Sequence, residues 1–357
     1  MRKICLLIVF LFLMITPALS EADVWTEIAA PEELARIAEN PEGQYRLVND
    51  IDMTGVDWKP IPLNGVLDGN GYAILNLSVT QPGETRFPSR DGNEKKYDTV
   101  GAGLFDCCVN ARIRNLKLLG ASVTVETEEN CFCGLLCGGG DNITVENCEI
   151  DGRVQLIQTA KMCGVSGLIG FARCGVANTS IRADVVLVDR NDRQPCEQFG
   201  SGVLACGFAD VKSCKVVADI YASVHGYCHN GGLIGMQLRH GYQHRRKLID
   251  NSLWIRISFF EHTKSRRAYA DAYVGETLGE AISYRNNHKA YFRIRETRDY
   301  RTELYPCICG VPKNQETVAP TESSVGYTVN TCPQCGYTYN DRFIPRIPET
   351  SAGGITE

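Results

Sequence analysis

Five stretches of this chain open alike, and that recurrence limits what it can fold into. They begin at Gly103-Leu104-Phe105, Gly134-Leu135-Leu136, Gly167-Leu168-Ile169-Gly170, Gly202-Val203-Leu204 and Gly232-Leu233-Ile234-Gly235, spaced 31, 33, 35 and 30 residues apart. After a variable turn, each is followed by an apolar-polar alternation: Ile113 to Leu118, Ile143 to Ile150, Ile181 to Val186, Val211 to Val217 and Leu248 to Ile257. A small or polar residue returns within that second run, as Asn115, Asn147, Thr179, Ser213 and Asn251. A period near thirty residues with two or three short strands marks a unit that cannot bury its own apolar face and must stack on copies of itself.

Stacking of such units makes a solenoid. Strands of successive coils pair in parallel ~4.8 Å apart, inward Leu, Ile, Val and Cys form continuous rows, and Gly or Asn at the corners supplies positive φ. The expected fold is all-β, a right-handed parallel β-helix over residues 45–285, with a pattern that fades after about 260. Pro31 to Glu39 reads as a short amphipathic helix, with Pro first, acids in the first turn and Leu34, Ile37 and Ala38 on one stripe. Within the N-terminal segment 21–44, it is placed to cap the open end of the stack.

The N-terminus reads as an export signal over residues 1–20. Arg2 and Lys3 precede an apolar run from Ile4 to Ile15, then small residues that fit cleavage after Ser20 or Ala22. The run is shorter than the roughly 17–25 residues of a bilayer span, so the expected product is secreted or cell-surface associated, with no transmembrane span.

The segment Tyr45 to Met53, then Trp58-Lys59-Pro60-Ile61, then Gly65 to Tyr72 resembles the opening segment of secreted bacterial right-handed β-helix proteins, and the Gly-Leu-Ile-Gly units resemble the GLUG repeats that follow it there. The resemblance covers roughly residues 24–260. The unit at Gly202 lacks the fourth-position Gly. In that family the repeats form surface or secreted domains, some attached to immunoglobulin-cleaving metallopeptidases and others to adhesin-like chains, so the resemblance implies a surface module.

The chain holds 17 Cys. Apart from Cys5, twelve lie between Cys107 and Cys228 and four in the tail. Export favours disulfides, but Cys137 aligns with Gly170, Ala205 and Gly235, and Cys107 and Cys206 align with Phe171, positions that suit thiols used as small buried hydrophobes. Buried thiols and disulfides between adjacent coils both remain open, as does metal use by Cys131, Cys133 and Cys137.

After a linker at 286–306, a module at 307–346 carries Cys307-Ile308-Cys309-Gly310 and Cys332-Pro333-Gln334-Cys335-Gly336, before a tail at 347–357. Cys-Pro-x-Cys-Gly shapes a tight turn that presents two thiolates to one tetrahedral ion. Two such pairs predict a zinc-ribbon-like module with structural Zn on Cys307, Cys309, Cys332 and Cys335, against disulfides or free thiols. The stretch Val318 to Pro345 resembles short tail modules on secreted proteins of anaerobic Gram-positive bacteria, which often carry another Cys where this chain has Glu322.

Catalytic chemistry is thin. No His-Glu pair occurs in the sequence, which sets aside a metallopeptidase motif, and Asp141, Asp151, Asp184, Asp189, Asp210 and Asp219 mostly fall at strand ends, without an adjacent acid pair. His225, Cys228, His229, His240 and His244 have spacings that a metal site could use, but border Gly-rich turns. A formal charge of −5 argues against nucleic acid as partner. Between Arg239 and Arg301, however, 14 Lys and Arg face 7 Asp and Glu, interleaved with tyrosines. Arg245, Arg246, Lys247, Arg266, Arg267, Tyr269 and Tyr273 are the candidate ligand-binding residues, by charge and stacking. The alternative is a solvated flank. The expected function is a non-enzymatic binding, adhesion or spacer protein for glycan, cell-wall polymer or a host surface protein; the rival is a polysaccharide-degrading lyase or hydrolase.

Overall fold

The computed structural model describes residues 24–91, 93, 95–190, 197–224, 227–238, 246–261, 268–277, 281–284, 287–296, 311–334, 336 and 338–348. The parallel β-helix expected from the repeats is the fold observed: the described residues are nearly all in strands and turns, with one short helix. Each coil contributes to three parallel sheets in turn. Coil 2 shows the plan, with Cys131–Gly134 in the first sheet, Cys137–Asp141 and Ile143–Glu146 in the second, and Glu149–Gln158 in the third. Coil 1 spans residues 96–127, coil 3 residues 162–189, coil 4 residues 197–224, and coil 5 residues 227–261.

Alternation along each strand sends one set of side chains inward. Leu104, Leu135, Leu168, Val203 and Leu233, the second residues of the repeats, are all fully buried. Turn geometry fixes the register at the corner between the second and third sheets, where Asn115, Asn147, Asn178, Ser213 and Asp250 take positive φ of 50–57°. That left-handed conformation disfavours most side chains and admits Asn and Asp, which bond locally. Thr179 and Asn251 therefore stand one residue beyond the corner row in which the repeat alignment placed them. Both point inward: Asn251 Nδ2 donates to Val211 O at 2.9 Å, and its Oδ1 accepts from Cys214 N–H at 3.0 Å.

The solenoid extends beyond the legible repeats at both ends. Trp25–Ile28 pairs in parallel with Gln44–Leu47 ahead of the expected first strand. A sixth coil runs from Ala268–Asp271 to Asn287–Glu296, and this last strand pairs along its whole length with Ser252–Glu261. Residues 287–296, expected as linker, thus belong to the stack. The capping helix is a turn of α-helix at Pro31–Ala35 continued as 3-10 helix to Glu39, burying Leu34 and Ile37 while Ala38 stays exposed.

The body cysteines line the core. Cys107, Cys108, Cys131, Cys133, Cys137, Cys148, Cys163, Cys174, Cys206, Cys214 and Cys228 are buried. Strand register pairs Cys107 with Gly139, then Phe171, then Cys206, as the repeat alignment has it. Cys137 instead pairs with Phe105 and Ile169, one position away from Gly170. Burial raises the thiols of Cys148 and Cys214 to about 11 and that of Cys107 to about 12, so they stay protonated and unreactive.

The C-terminal module is a three-stranded antiparallel sheet of Asn314–Val318, Gly326–Thr331 and Thr338–Ile344. Between its last two strands, Gly336 at φ +71° donates its N–H to Cys332 O at 2.9 Å. Cys332 is buried. The other three expected zinc ligands, Cys307, Cys309 and Cys335, lie outside the described residues.

The module packs on the outer face of the third sheet. Phe343 covers Ala73, Leu75 and Leu119, and Asn76 grips its backbone, donating to Phe343 O at 2.8 Å and accepting from Phe343 N–H at 3.1 Å. Arg346 pairs with Asp50 through Nε at 2.8 Å and Nη2 at 2.6 Å and lies over the Tyr72 ring.

Candidate functional site

The outer face of the third sheet, past the module, gathers the most chemistry. Strand Ser252–Glu261 sends Leu253, Ile255 and Ile257 into the core, which turns Trp254 and Arg256 outward. Trp254 is 40% exposed, unusual for so large a ring. Parallel register places it in one row along the solenoid axis with Asp151, Arg182 and Val217. The neighbouring row reads Arg153, Asp184, Asp219 and Arg256 on four consecutive coils. Arg256 Nε donates to Asp219 Oδ1 at 2.9 Å. Lys215, fully outward, flanks the aromatic row.

This corrects the reading of the aspartates. Asp184 and Asp219 are mid-strand residues, and they stand side by side on adjacent coils, an acid pair that sequence separation conceals. Asp141 is paired with Arg173 at 2.8 Å, Asp210 accepts from the Lys247 N–H at 2.9 Å, and Asp189 is buried between the amides of Gln158 and Gln198.

Asp151 lies at the boundary between the face and the module. Burial lifts its carboxyl to about 6, against the opposing pull of Arg182 at 3.9 Å and of the Gly120 N–H, with Glu149 adding to the rise. An unfolded Asp titrates near ~3.9. A raised native value favours the fold fully below about pH 4, and that advantage is lost as pH rises through about 6. Asp151→Asn should therefore match the parent protein at about pH 4 and exceed it at about pH 7.5 by on the order of 2 kcal/mol, read by urea unfolding at both pH values. Equal gains at both would refute the buried-carboxylate account.

Of the ligand residues expected from the basic stretch, the described ones are spread over two sheets and the turn between them. Lys247 is exposed on the second sheet, on strand Arg246–Ile249, and Arg246 heads the same strand. Tyr269 belongs to the first sheet, where its ring stacks at 5.2 Å on His229. That stack continues through Phe199 at 5.3 Å and on to Phe132 at 6.0 Å. Tyr273 packs against the core. Arg245, Arg266 and Arg267 lie outside the described residues. The stretch does supply the site, through Trp254 and Arg256, which strand alternation could have flagged as outward.

The described histidine and cysteine candidates for a metal do not come together either. His229 sits in the ring stack with Nε2 at 3.1 Å from Glu197, while neighbouring Cys228 points into the core, so they cannot share an ion. His225, His240 and His244 lie outside the described residues. Cys131 and Cys133 face each other at 3.8 Å, whereas Cys137 bonds Gly139 O and Cys108. Among the described residues no group of three or more His, Cys, Asp or Glu could hold a metal ion.

No family model matches the chain, and no curated protein is similar to it. Among solved structures, a candidate immunoglobulin A1 protease from Bacteroides ovatus aligns over 76% of this chain and 84% of its own, at 14% identity and a TM-score of 0.40. Among the described residues, no helix is long and apolar enough to cross a membrane.

Proposed function

We propose that this is an exported, surface-associated β-helix protein that binds glycan on the outer face of its third sheet, without turning it over. The observation that carries this reading is the half-exposed Trp254 beside a row on consecutive coils in which Arg153 and Arg256 flank Asp184 and Asp219. An indole face stacks on the apolar face of a sugar ring, and the Arg–Asp row offers donors and acceptors to its hydroxyls. The described cations of this face are largely partnered, Arg256 by Asp219 and Arg182 by Asp151. A neutral or weakly acidic glycan therefore suits it better than a strongly anionic cell-wall polymer.

The experiment is a glycan array probed with the purified protein and with Trp254→Ala. We expect a restricted set of neutral or weakly acidic glycans to bind, and Trp254→Ala to weaken them at least ~10-fold, about 1.4 kcal/mol. Binding that ignores this substitution would move the site elsewhere.

The side-by-side Asp184 and Asp219 favour one second reading, a polysaccharide-degrading enzyme, because paired carboxylates can divide acid and base roles. New reducing ends or unsaturated products released from a bound glycan, and abolished by Asp184→Asn, would establish that reading instead.

A further inference from the structure

Trp254 shares its row with residues beneath the C-terminal module, so part of one track is already occupied by the chain itself. At its start, Phe343 bonds Asn76 and lies against Gly120, where any Cβ would come within 2.6 Å of the phenyl ring. Asp151 follows, bonded to the Gly120 N–H, and then Arg182, which donates to Thr338 O. Phe343 and Thr338 belong to one strand, Thr338–Ile344. That strand therefore reaches from the opening turns, where Phe343 lies, to coil 3, where Thr338 meets Arg182. The same row continues in register through Val217 to Trp254 on coils 4 and 5, two steps of ~4.8 Å past Arg182.

Resting on the glycan reading above, we propose that the C-terminal module is the end wall of the glycan site, so that the face takes the end of a chain and not its middle. A polysaccharide laid along the row over Trp254 and Val217 meets the module at Arg182 and can advance no further. An open β-helix face, by contrast, would accept a long chain at any point. Arg182 is the joint, since it touches the module's backbone on one side and Asp151 of the sheet on the other. The Arg346–Asp50 pair holds the wall in place from the far end.

The test uses the full chain and two neutral probes, a cello-oligosaccharide and a chito-oligosaccharide length series, titrated calorimetrically. With the wall in place, affinity should rise over the shortest members and then level off. In Arg346→Ala, which frees the module, longer oligomers should gain at least ~3-fold over the parent protein while the shortest are unchanged. Hydrogen exchange must show Ala73 to Leu75 exposed and the core strands still protected, so that undocking is separated from unfolding. Trp254→Ala should weaken every member in both backgrounds. A plateau that persists after demonstrated undocking, or affinity that climbs with length in the parent protein, overturns the end wall and leaves the glycan site standing. Failure of both series to bind in a Trp254-dependent way overturns the glycan site and the wall with it.

Discussion

Gly138→Val should destabilise the solenoid by about 3 kcal/mol or more, seen as a large drop in the urea midpoint with an unchanged slope. Gly138 is the second residue of the coil 2 strand Cys137–Asp141, just past the turn from the first sheet. A Cβ there would stand 2.2 Å from the Ala102 backbone nitrogen and 2.3 Å from the Gly101 Cα. Both obstacles are main chain, so no side-chain rotation relieves them. Gly101 is pinned in turn, its own Cβ position lying 2.0 Å from Asp106 O. The strain must open the pairing between coils 1 and 2, which every later coil uses as a template. Gly175→Ala is the control. It has nothing within 4 Å of its Cβ position and should stay within ~0.5 kcal/mol of the parent protein. Indistinguishable midpoints for the two variants would show that the corner is looser than described.

Asp50→Ala should detach the C-terminal module from the β-helix. The carboxylate accepts four hydrogen bonds, from Ala73 N–H at 2.9 Å and from Arg346 N–H, Nε and Nη2 at 3.1, 2.8 and 2.6 Å. Its side chain is 3% exposed and that of Arg346 21%. Removing one partner of a pair buried to this degree leaves an uncompensated cation against Tyr72 and costs about 3–5 kcal/mol. The module would become a proteolytic target, with cleavage within 311–348 while the coils resist. Burial alone would raise the Asp50 carboxyl, but the hydrogen bonds from Arg346 and Ala73 outweigh it and hold the group below its ordinary range. The docking energy is therefore complete above the unfolded value of ~3.9 and is lost as pH falls through the lower native value. Acid should release the module before it unfolds the coils; equal protease resistance of Asp50→Ala and the parent protein would refute the clamp.

The coils were legible because their signal is periodic. Gly-Leu or Gly-Val pairs recur at the passage from the first sheet to the second in coils 1 to 5, and burial of Leu104, Leu135, Leu168, Val203 and Leu233 is what that recurrence means physically. Register within a coil was less legible, since a corner accepts Asn, Ser or Asp. A neighbouring Thr179 or Asn251 is chemically indistinguishable until the positive φ is seen at Asn178 and Asp250. The sixth coil was only faintly legible, and its end was set too early at 285, because Asp271-Ala272-Tyr273-Val274 replaces Gly-Leu-Ile at the same corner. What joins distant segments left no local trace. Asp184 and Asp219 became a pair only through strand register, and Asp50 meets Arg346 across 296 positions. Trp254 was overshadowed by the more numerous tyrosines and arginines around it, several of which pack elsewhere.

The clamp also decides how the molecule would bear tension. A plain solenoid pulled by its last residue peels one coil at a time, because force falls on a single strand edge. Here a pull applied beyond Pro348 reaches Arg346 first and passes through Asp50 into the opening turns, crossing Asn76 and Arg182 along the way. Those bonds tie one short segment, Thr338 to Arg346, to several turns at once, so the load is shared among them. Coils 4 to 6, with the Trp254 face, stand outside that load path and would keep their shape while the far end strains.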